Sequence, residues 1–402
     1  MAKNDLRILS PMAFVKMIVD RTKTINAAAD EAVPAISSYT PNRLADALHP
    51  NVQFLTVSRI IPFSDDVKTY VLTPCAEMGT TALAYFSAGS YLAIEVVIDG
   101  KIYTRPYSLS SSPQEALAGE YRLTIKRVPD GIVSGYILDN WTVGTSFAAS
   151  APLGEFTYEP LRDAKTIVGV AGGSGITPFR SLAKAIADGD EDANLVLLYG
   201  TPTLAEALFE DEFAEIAKNC DRFQLVHVLS DEKLKGCESG FITAKLIKKY
   251  APKKEDYSVF MCGPQAMYRF LDGELPKLGL RRKFIRRELF GEYFHPEKEA
   301  DYTGDVNAVY HMTVRMNGKT FEADCPANTS LLRSMEDAGI HAPSDCRSGQ
   351  CGWCHSLLVS GQVYIPASVD GRREADADFG YIHPCITFPL SDVVLEVPAA
   401  HG

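Results

Sequence analysis

No stretch of 18 consecutive apolar residues occurs in this 402-residue chain, so the sequence offers no segment expected to span a membrane. Its opening, MAKNDLRILSPMAF, lacks the uninterrupted apolar core of a secretory signal. Basic residues are outnumbered, 40 Lys and Arg against 51 Asp and Glu. The resulting net charge of -11 argues against a nucleic-acid partner, which needs a basic face, while leaving room for a local basic docking patch. A disulfide framework is also missing: nine cysteines is an odd number without regular pairing, which points to a reducing compartment, the cytoplasm. With 46% hydrophobic and 23% charged residues the composition is ordinary globular and excludes wholesale disorder. The length suits two to four domains.

Cysteine is instead concentrated near the C-terminus. Cys346-Arg-Ser-Gly-Gln-Cys351-Gly-Trp-Cys354, followed by Cys385, has the C-x4-C-x2-C…C spacing of plant-type [2Fe-2S] ligation. Three thiolates on one loop and a fourth from a remote segment can surround two irons, whereas zinc knuckles take cysteines in two short, separate pairs. Gly349 and Gly352 let backbone N–H groups crowd toward the sulfides, which argues against four cysteines acting as small apolar core residues. His383 invites a Rieske reading, in which two histidines replace two cysteines, but the four cysteines already stand in plant-type register. Trp353, between two ligands, either packs over the cluster or stands exposed for a partner.

The rest of the chain reads as multidomain. Residues 1–52 form a helical N-terminal extension: Ser10-Pro11 suits a helix start, Phe14, Ile18, Ile25 and Val33 give a loose stripe ending at Pro34, and Arg43 to Leu48 a second short helix. The extension is expected to cover a sheet edge, self-associate or dock a partner. Across 53–160 the period changes to two, in VQFLTVSRI, VKTYVLT, YLAIEVVI, IYTRPYSLS and EYRLTIKRV, with Asp99-Gly100 as a hairpin turn; this predicts a small antiparallel β-barrel. Across 161–295 the apolar runs KTIVGVAG, NLVLLYG, FQLVHVLS and YSVFMCG alternate with helical stretches, which predicts a parallel α/β domain. Polar residues 296–308 read as a linker. Residues 309–402, with the hairpin HMTVRMNGKTFEA, the helix SLLRSMEDAG, the cysteine loop and the strand VVLEV, predict a small α+β ferredoxin-like (β-grasp) module.

Four further motifs accompany the cysteines. Arg105-Pro106-Tyr107-Ser108 ends a barrel strand, and Gly131-Ile-Val-Ser134 precedes the helical GYILDN. A glycine run, Gly172-Gly173-Ser174-Gly175, joins an apolar strand to a helix near Thr177, and Cys262-Gly263-Pro264 ends a later strand. Arg287-Glu288-Leu289-Phe290-Gly291 closes the α/β region. The glycine run is not the G-x-G-x-x-G fingerprint and is weak by itself; its glycines do permit a sharp turn and close approach to a pyrophosphate at a helix start.

Taken together, these motifs resemble ferredoxin–NADP reductase-type flavoproteins fused to a C-terminal plant-type ferredoxin domain, the phthalate dioxygenase reductase-like oxygenase reductases. The resemblance covers roughly residues 53–398 and leaves out the N-terminal extension. It implies that Arg105 binds a flavin phosphate, that Pro106, Tyr107 and Ser108 line the isoalloxazine, and that Gly131 and Ser134 form a phosphate site. It implies a cofactor-side loop at Pro152-Leu-Gly-Glu-Phe156, where the alternative is a turn with Phe156 in the core. Gly172, Gly173, Ser174, Gly175, Gly263 and Pro264 are implied in nucleotide binding, Thr177 and Cys262 in placing the nicotinamide, and Glu288 and Phe290 at the flavin face. A strand packed between domains is the plain alternative for the last motif. FAD is expected, with FMN as its competitor.

The 2′-phosphate of NADP wants Arg or Lys beyond the second α/β strand, and Tyr199 to Glu206 contains neither, so NADH is expected over NADPH unless Arg222 returns from a later loop. Arg281 to Arg287 holds five basic residues in seven, while residues 309–402 carry 6 basic and 11 acidic side chains. Complementary charge between the two regions, or simply a solvated basic strand, accounts for this run. The parts predict an enzyme that takes hydride from NADH onto FAD and passes single electrons through [2Fe-2S] to a redox acceptor protein such as an oxygenase or demethylase component. Two rival readings are an electron-transfer subunit of a stable larger complex and a terminal flavin reductase of a small molecule.

Overall fold

A computed structural model describes residues 11–29, 39–129, 131–289 and 291–398. It divides into two compact units, residues 1–48 and 49–402. The first contains the helices Pro11–Ala29 and Thr40–Leu48. On the longer helix Phe14, Ile18 and Ile25 face outward and are about half exposed. Ser10, Val33 and Pro34 lie outside the described residues.

The second unit contains three successive sheets. In the first, six antiparallel strands run in the order Lys101–Ser108, Tyr91–Ile98, Ser146–Ala149, Gln53–Ser64, Val67–Pro74, Tyr121–Lys126. Alternation sets the inward face: Leu55 and Val57 are buried while Phe54 and Thr56 are partly open. A bridge from Leu109 to Leu123 brings the two edge strands together and curls the sheet into a barrel. The Asp99-Gly100 turn has φ of 51° and 76°, the pair of positive values that a two-residue I′ hairpin requires.

The second sheet is parallel throughout, in the order Glu238–Ser239, Phe223–Leu229, Asn194–Thr201, Thr166–Gly172, Tyr257–Cys262, Ile285–Glu288. Thr166–Gly172 is buried along its whole length, as a central parallel strand covered on both faces is. The helix Thr177–Asp188 leads away from that strand and ends at Gly189 in the left-handed region.

The third sheet is mixed, in the order Lys319–Pro326, Val309–Met316, Val393–Val397, Ser356–Ser360, Tyr381–Ile382. The helix Leu331–Asp337 packs on it, capped by Ser330, whose side chain accepts from the Arg333 N–H. Its Leu331, Leu332 and Met335 join Val314, Ile386 and Leu395 in one apolar core. No helix among the described residues is long and apolar enough to cross a membrane.

Candidate redox active site

In a doubly wound parallel sheet the ligand crevice lies at the C-terminal ends of the strands where strand order reverses. Here the order runs from Thr166–Gly172 to Asn194–Thr201 on one side and to Tyr257–Cys262 on the other, so the reversal falls between Gly172 and Cys262. The glycine run and the Cys262-Gly263-Pro264 motif meet there. A Cβ on Gly175 would stand 2.6 Å from the Gly263 nitrogen and closer still to the Cys262 carbonyl oxygen; one on Gly172 would stand 2.8 Å from the Met267 sulfur. Gly173 takes a φ of 52° to make the turn. Ser174 accepts through its carbonyl from the Thr177 hydroxyl at 3.0 Å, and Thr177 is buried at the start of the helix Thr177–Asp188, whose first turn has no side-chain cap. The Thr177 N–H donates to the Ser174 carbonyl and Pro178 has none, so it is the turn Gly173–Ile176 ahead of the helix whose backbone would meet a pyrophosphate.

Cys262 pairs in register with Glu288 on the neighbouring strand. Both are buried. Burial pushes the Cys262 thiol well above its ordinary value, so it stays neutral near pH 7 and is poorly suited to nucleophilic attack. Burial, assisted by negative charge at Cys346, likewise pushes the Glu288 carboxyl well above the usual range, and its Oε2 is buried without a hydrogen-bond partner. A protonated carboxyl with an unused buried oxygen fits a polar ring edge brought by a flavin. Gly154 completes this corner: φ is 111°, and a Cβ there would lie 2.9 Å from the Tyr91 ring and 3.8 Å from Glu288 Oε1.

The flavin motifs are placed as follows. Pro106 and Ser108 are buried on the strand Lys101–Ser108, and Tyr107 is half-buried against the barrel core. Gly131 is the N-cap of the helix Ile132–Asn140 and supplies no side chain to its first N–H groups, leaving them for an anion; a Cβ there would crowd Val128 and Ser134. Ser134 lies within that helix rather than before it, and its Oγ accepts from the Val128 N–H at 3.0 Å. Phe156 packs its ring 5.5 Å from Phe179 and 5.1 Å from Phe260 in the nucleotide-domain core. A role for that loop beside a cofactor therefore falls to Gly154 and its backbone. Phe290 lies outside the described residues.

Around the cysteine loop, the Ser348 and Cys351 N–H groups donate to Cys346 Sγ at 3.5 and 3.3 Å, and the Trp353 N–H donates to Cys351 Sγ at 3.4 Å. Arg347, Gly349 and Gly352 all have positive φ, which turns successive N–H groups toward the sulfurs. Cys354 and Cys385 sulfurs lie 3.4 Å apart, and Cys351 reaches Cys346, giving two sulfur pairs. Amide donors on paired thiolates fit a two-iron cluster. His383 is buried with its Nδ1 2.7 Å from the Gly349 carbonyl, so the ring braces the loop. Trp353 is about half exposed, the open alternative of the two.

Arg105 is engaged with residues far away in sequence. Its Nη1 donates to both Glu336 oxygens at 3.1 and 2.9 Å and its Nη2 to Glu292 at 2.8 Å. Both carboxylates also meet Arg347, from the cysteine loop. Three guanidiniums, those of Arg347, Arg105 and Arg333, outweigh burial and hold the Glu292 carboxyl down at about 2. Sequence reasoning missed Glu292, Arg333, Glu336 and Arg347. An arginine directly after the first cluster cysteine was the available signal. The basic run 281–287 does not supply the contact with the cysteine module: Arg281, Arg286 and Arg287 pair with Asp256, Asp163 and Asp272.

Arg222 does not reach the coenzyme end of the sheet. It donates to the Ile186 and Glu191 carbonyls, and its own carbonyl accepts from Leu195 at the opposite, N-terminal end of the strands. Beyond Thr201 stand Glu206 and Glu232, the latter accepting the Leu204 N–H at 3.0 Å. Carboxylates there disfavour a 2′-phosphate.

Residues 55–158 match the family described as oxidoreductase FAD-binding domain, 170–272 the oxidoreductase NAD-binding domain, and 314–390 the 2Fe-2S iron-sulfur cluster binding domain. The chain is 31% identical to the ferredoxin reductase component of 3-ketosteroid-9-alpha-monooxygenase from Mycolicibacterium smegmatis, over 87% of this chain and 98% of that protein. It is 26% identical to the glycine betaine monooxygenase reductase subunit of Chromohalobacter salexigens, over 84% and 93%. Among solved structures, phthalate dioxygenase reductase superposes with a TM-score of 0.62 at 25% identity, covering 89% of this chain and all of that one.

Proposed function

The chain belongs to the modular oxygenase reductases in which FAD-binding, NAD-binding and [2Fe-2S] domains follow one another, and on that premise we propose that it draws electrons from NADH to serve an oxygenase component. It is an NADH-dependent flavoprotein oxidoreductase using FAD and a [2Fe-2S] cluster. FAD held at the barrel would supply hydride acceptance and single-electron release, and a [2Fe-2S] cluster on Cys346, Cys351, Cys354 and Cys385 would supply one-electron relay.

The protein's own part is placement. Gly172, Gly173 and Gly175 let backbone amides approach the coenzyme's pyrophosphate, with Gly263 and Pro264 walling the crevice and Ser174 and Thr177 setting its mouth. Cys262, a neutral thiol, holds the nicotinamide in position and excludes water. Glu288 keeps a proton on its carboxyl at the flavin edge. Arg105, Pro106, Tyr107 and Ser108, with the helix start at Gly131, form the flavin seat. Cys346, Cys351, Cys354 and Cys385 hold the cluster. The observation that supports this reading is that one residue of the cysteine loop, Arg347, shares both its carboxylate partners with Arg105 of the barrel motif.

The outward apolar residues of the helix Pro11–Ala29 support a docking or self-association role for the extension, and the nine cysteines, none in a disulfide, suit the cytoplasm. The test is NADH-driven reduction of a purified oxygenase component by the full chain. Transfer that persists after the cluster has been removed would overturn the relay.

A further inference from the structure

We propose that Glu336 is a positioning residue for electron passage from flavin to cluster: with Glu292 it clamps Arg347 of the cysteine loop to Arg105 of the barrel, fixing the separation of the two redox sites. The inference rests on the flavin-to-cluster relay just described.

Glu336 belongs to the helix Leu331–Asp337 and its side chain is 3% exposed. One oxygen accepts the Thr104 backbone N–H at 3.0 Å and an Arg105 Nη1 contact at 3.1 Å; the other accepts Arg105 Nη1 at 2.9 Å and Arg347 Nη2 at 2.9 Å. A single carboxylate thus grips two barrel residues and one cluster-loop residue. Glu292 repeats the grip from the segment that follows the nucleotide sheet, pairing with Arg105 at 2.8 Å, Arg333 at 3.3 Å and, through a short contact, Arg347.

Arg347 makes the clamp act on the cluster itself. It directly follows Cys346, its side chain is fully buried, and its backbone takes φ of 60°, unfavourable for a residue with a Cβ. A charge buried this deeply needs counter-charges. The buried carboxylates account for it, because a guanidinium fork can bridge two of them at once. Around this centre Asp337 pairs with Arg333 at 2.9 Å and accepts the Tyr103 hydroxyl at 3.1 Å. Three guanidiniums and three carboxylates therefore balance at the contact. In such a buried set, displacing one partner strands a charge, so the docked geometry is sharply defined.

The test separates placement from simple charge tuning. Removing the negative charge in Glu336→Gln raises the reduction potential of a nearby cluster, and on charge grounds alone that change speeds electron arrival. Loss of placement does the reverse. In anaerobic stopped-flow experiments on the holoprotein, Glu336→Gln is expected to bleach flavin with NADH at the wild-type rate yet reduce the cluster about tenfold or more slowly, the scale of penalty that small misplacements bring. The cluster potential, measured by redox titration followed by electron paramagnetic resonance, should rise in the same variant. Cluster reduction that is unchanged, or faster in step with the potential, overturns the proposal. If Glu336→Gln loses its cluster, Glu292→Gln, outside the ferredoxin sheet, carries the same comparison, and an unchanged rate there is equally fatal. Should wild-type protein fail to pass electrons from NADH-reduced flavin to its cluster, the functional reading itself falls.

Discussion

Gly175 lies so tightly against Cys262 that no Cβ fits between them; a methyl on the glycine would overlap the cysteine's carbonyl oxygen. The obstacle is backbone, which cannot rotate aside. The two motifs that flank the coenzyme crevice are therefore held at the spacing that glycine permits. Gly175→Ala should force the strand ends apart, costing about 1–3 kcal/mol of stability. It should also raise the dissociation constant for NADH roughly tenfold or more, measured by flavin-reduction kinetics at varied NADH, in keeping with the role of positioning. Wild-type NADH affinity in that variant would locate the crevice elsewhere.

The two ends of the relay are separable by kinetics. Cys351→Ala should abolish the cluster's visible absorbance and the reduction of a one-electron protein acceptor, while NADH still bleaches the flavin. Cys262→Ala should slow bleaching, and prior reduction of the flavin by dithionite should restore electron passage to the cluster. Iron and acid-labile sulfide should each approach about two per chain in the wild type. Intact bleaching in Cys262→Ala with a slowed cluster step would reverse the assignment.

Arg105→Ala tests a double duty. Loss of a charge-assisted phosphate contact should weaken flavin binding by about 1.5–3 kcal/mol. Leaving Glu292 and Glu336 short of a buried partner should separately cost about 3–5 kcal/mol of stability. Thermal unfolding of flavin-free protein isolates the second effect, and flavin titration the first. A variant that destabilises without any change in flavin affinity would show that Arg105 serves only the interdomain contact.

Glu288 should impose a pH slope on stability. Its folded value is raised by burial, so between the ordinary carboxylate range and that higher value the folded protein binds a proton that the unfolded chain has released. Stability contributed at low pH is consequently lost as pH rises through this window. Glu288→Gln, neutral at every pH, should flatten the slope and raise the melting temperature at neutral pH, while slowing hydride transfer by withdrawing the carboxyl at the flavin edge. Melting curves from pH 5 to 8 decide the first part; a slope identical to wild type would mean the carboxyl is ionised.

Coenzyme choice should respond to the carboxylates past Thr201. Replacing Glu206 and Glu232 together by Gln should improve NADPH use relative to NADH, read as a ratio of kcat/KM values. Arg222→Ala should leave that ratio alone, because Arg222 sits at the other end of the strands. A drop in NADPH use on losing Arg222 would contradict the geometry.

Local chemistry was readable before the structure; long-range pairing was not. The period-two runs, the Asp99-Gly100 turn and the Cys346–Cys354 spacing report on neighbours within a few residues, and each corresponds to a strand, a turn or a loop in the fold. Ser134 was less legible because its position relative to the helix start depends on a cap one turn earlier, at Gly131. Phe156 illustrates the limit of motif reading: an aromatic near a cofactor loop and an aromatic in a core have the same sequence appearance. Arg105, Glu292, Glu336 and Arg347 come from four separate segments, and no periodicity connects residue 105 with residue 336. The charge excess of the basic run drew attention instead, although Arg281, Arg286 and Arg287 are spent on Asp256, Asp163 and Asp272.

The shared carboxylates also bear on how freely such reductases can exchange parts. A module joined by a polar linker looks portable, as if any ferredoxin with the right cysteines would work on any barrel. Here the recipient barrel would still present Arg105, and the donor would have to arrive with an acid at the place of Glu336 and a fork at the place of Arg347. A graft lacking either leaves a buried ion without its counterpart. The transplantable unit is thus larger than the cluster-binding module: it includes the Glu292 segment and the barrel strand Lys101–Ser108, which travel together or not at all.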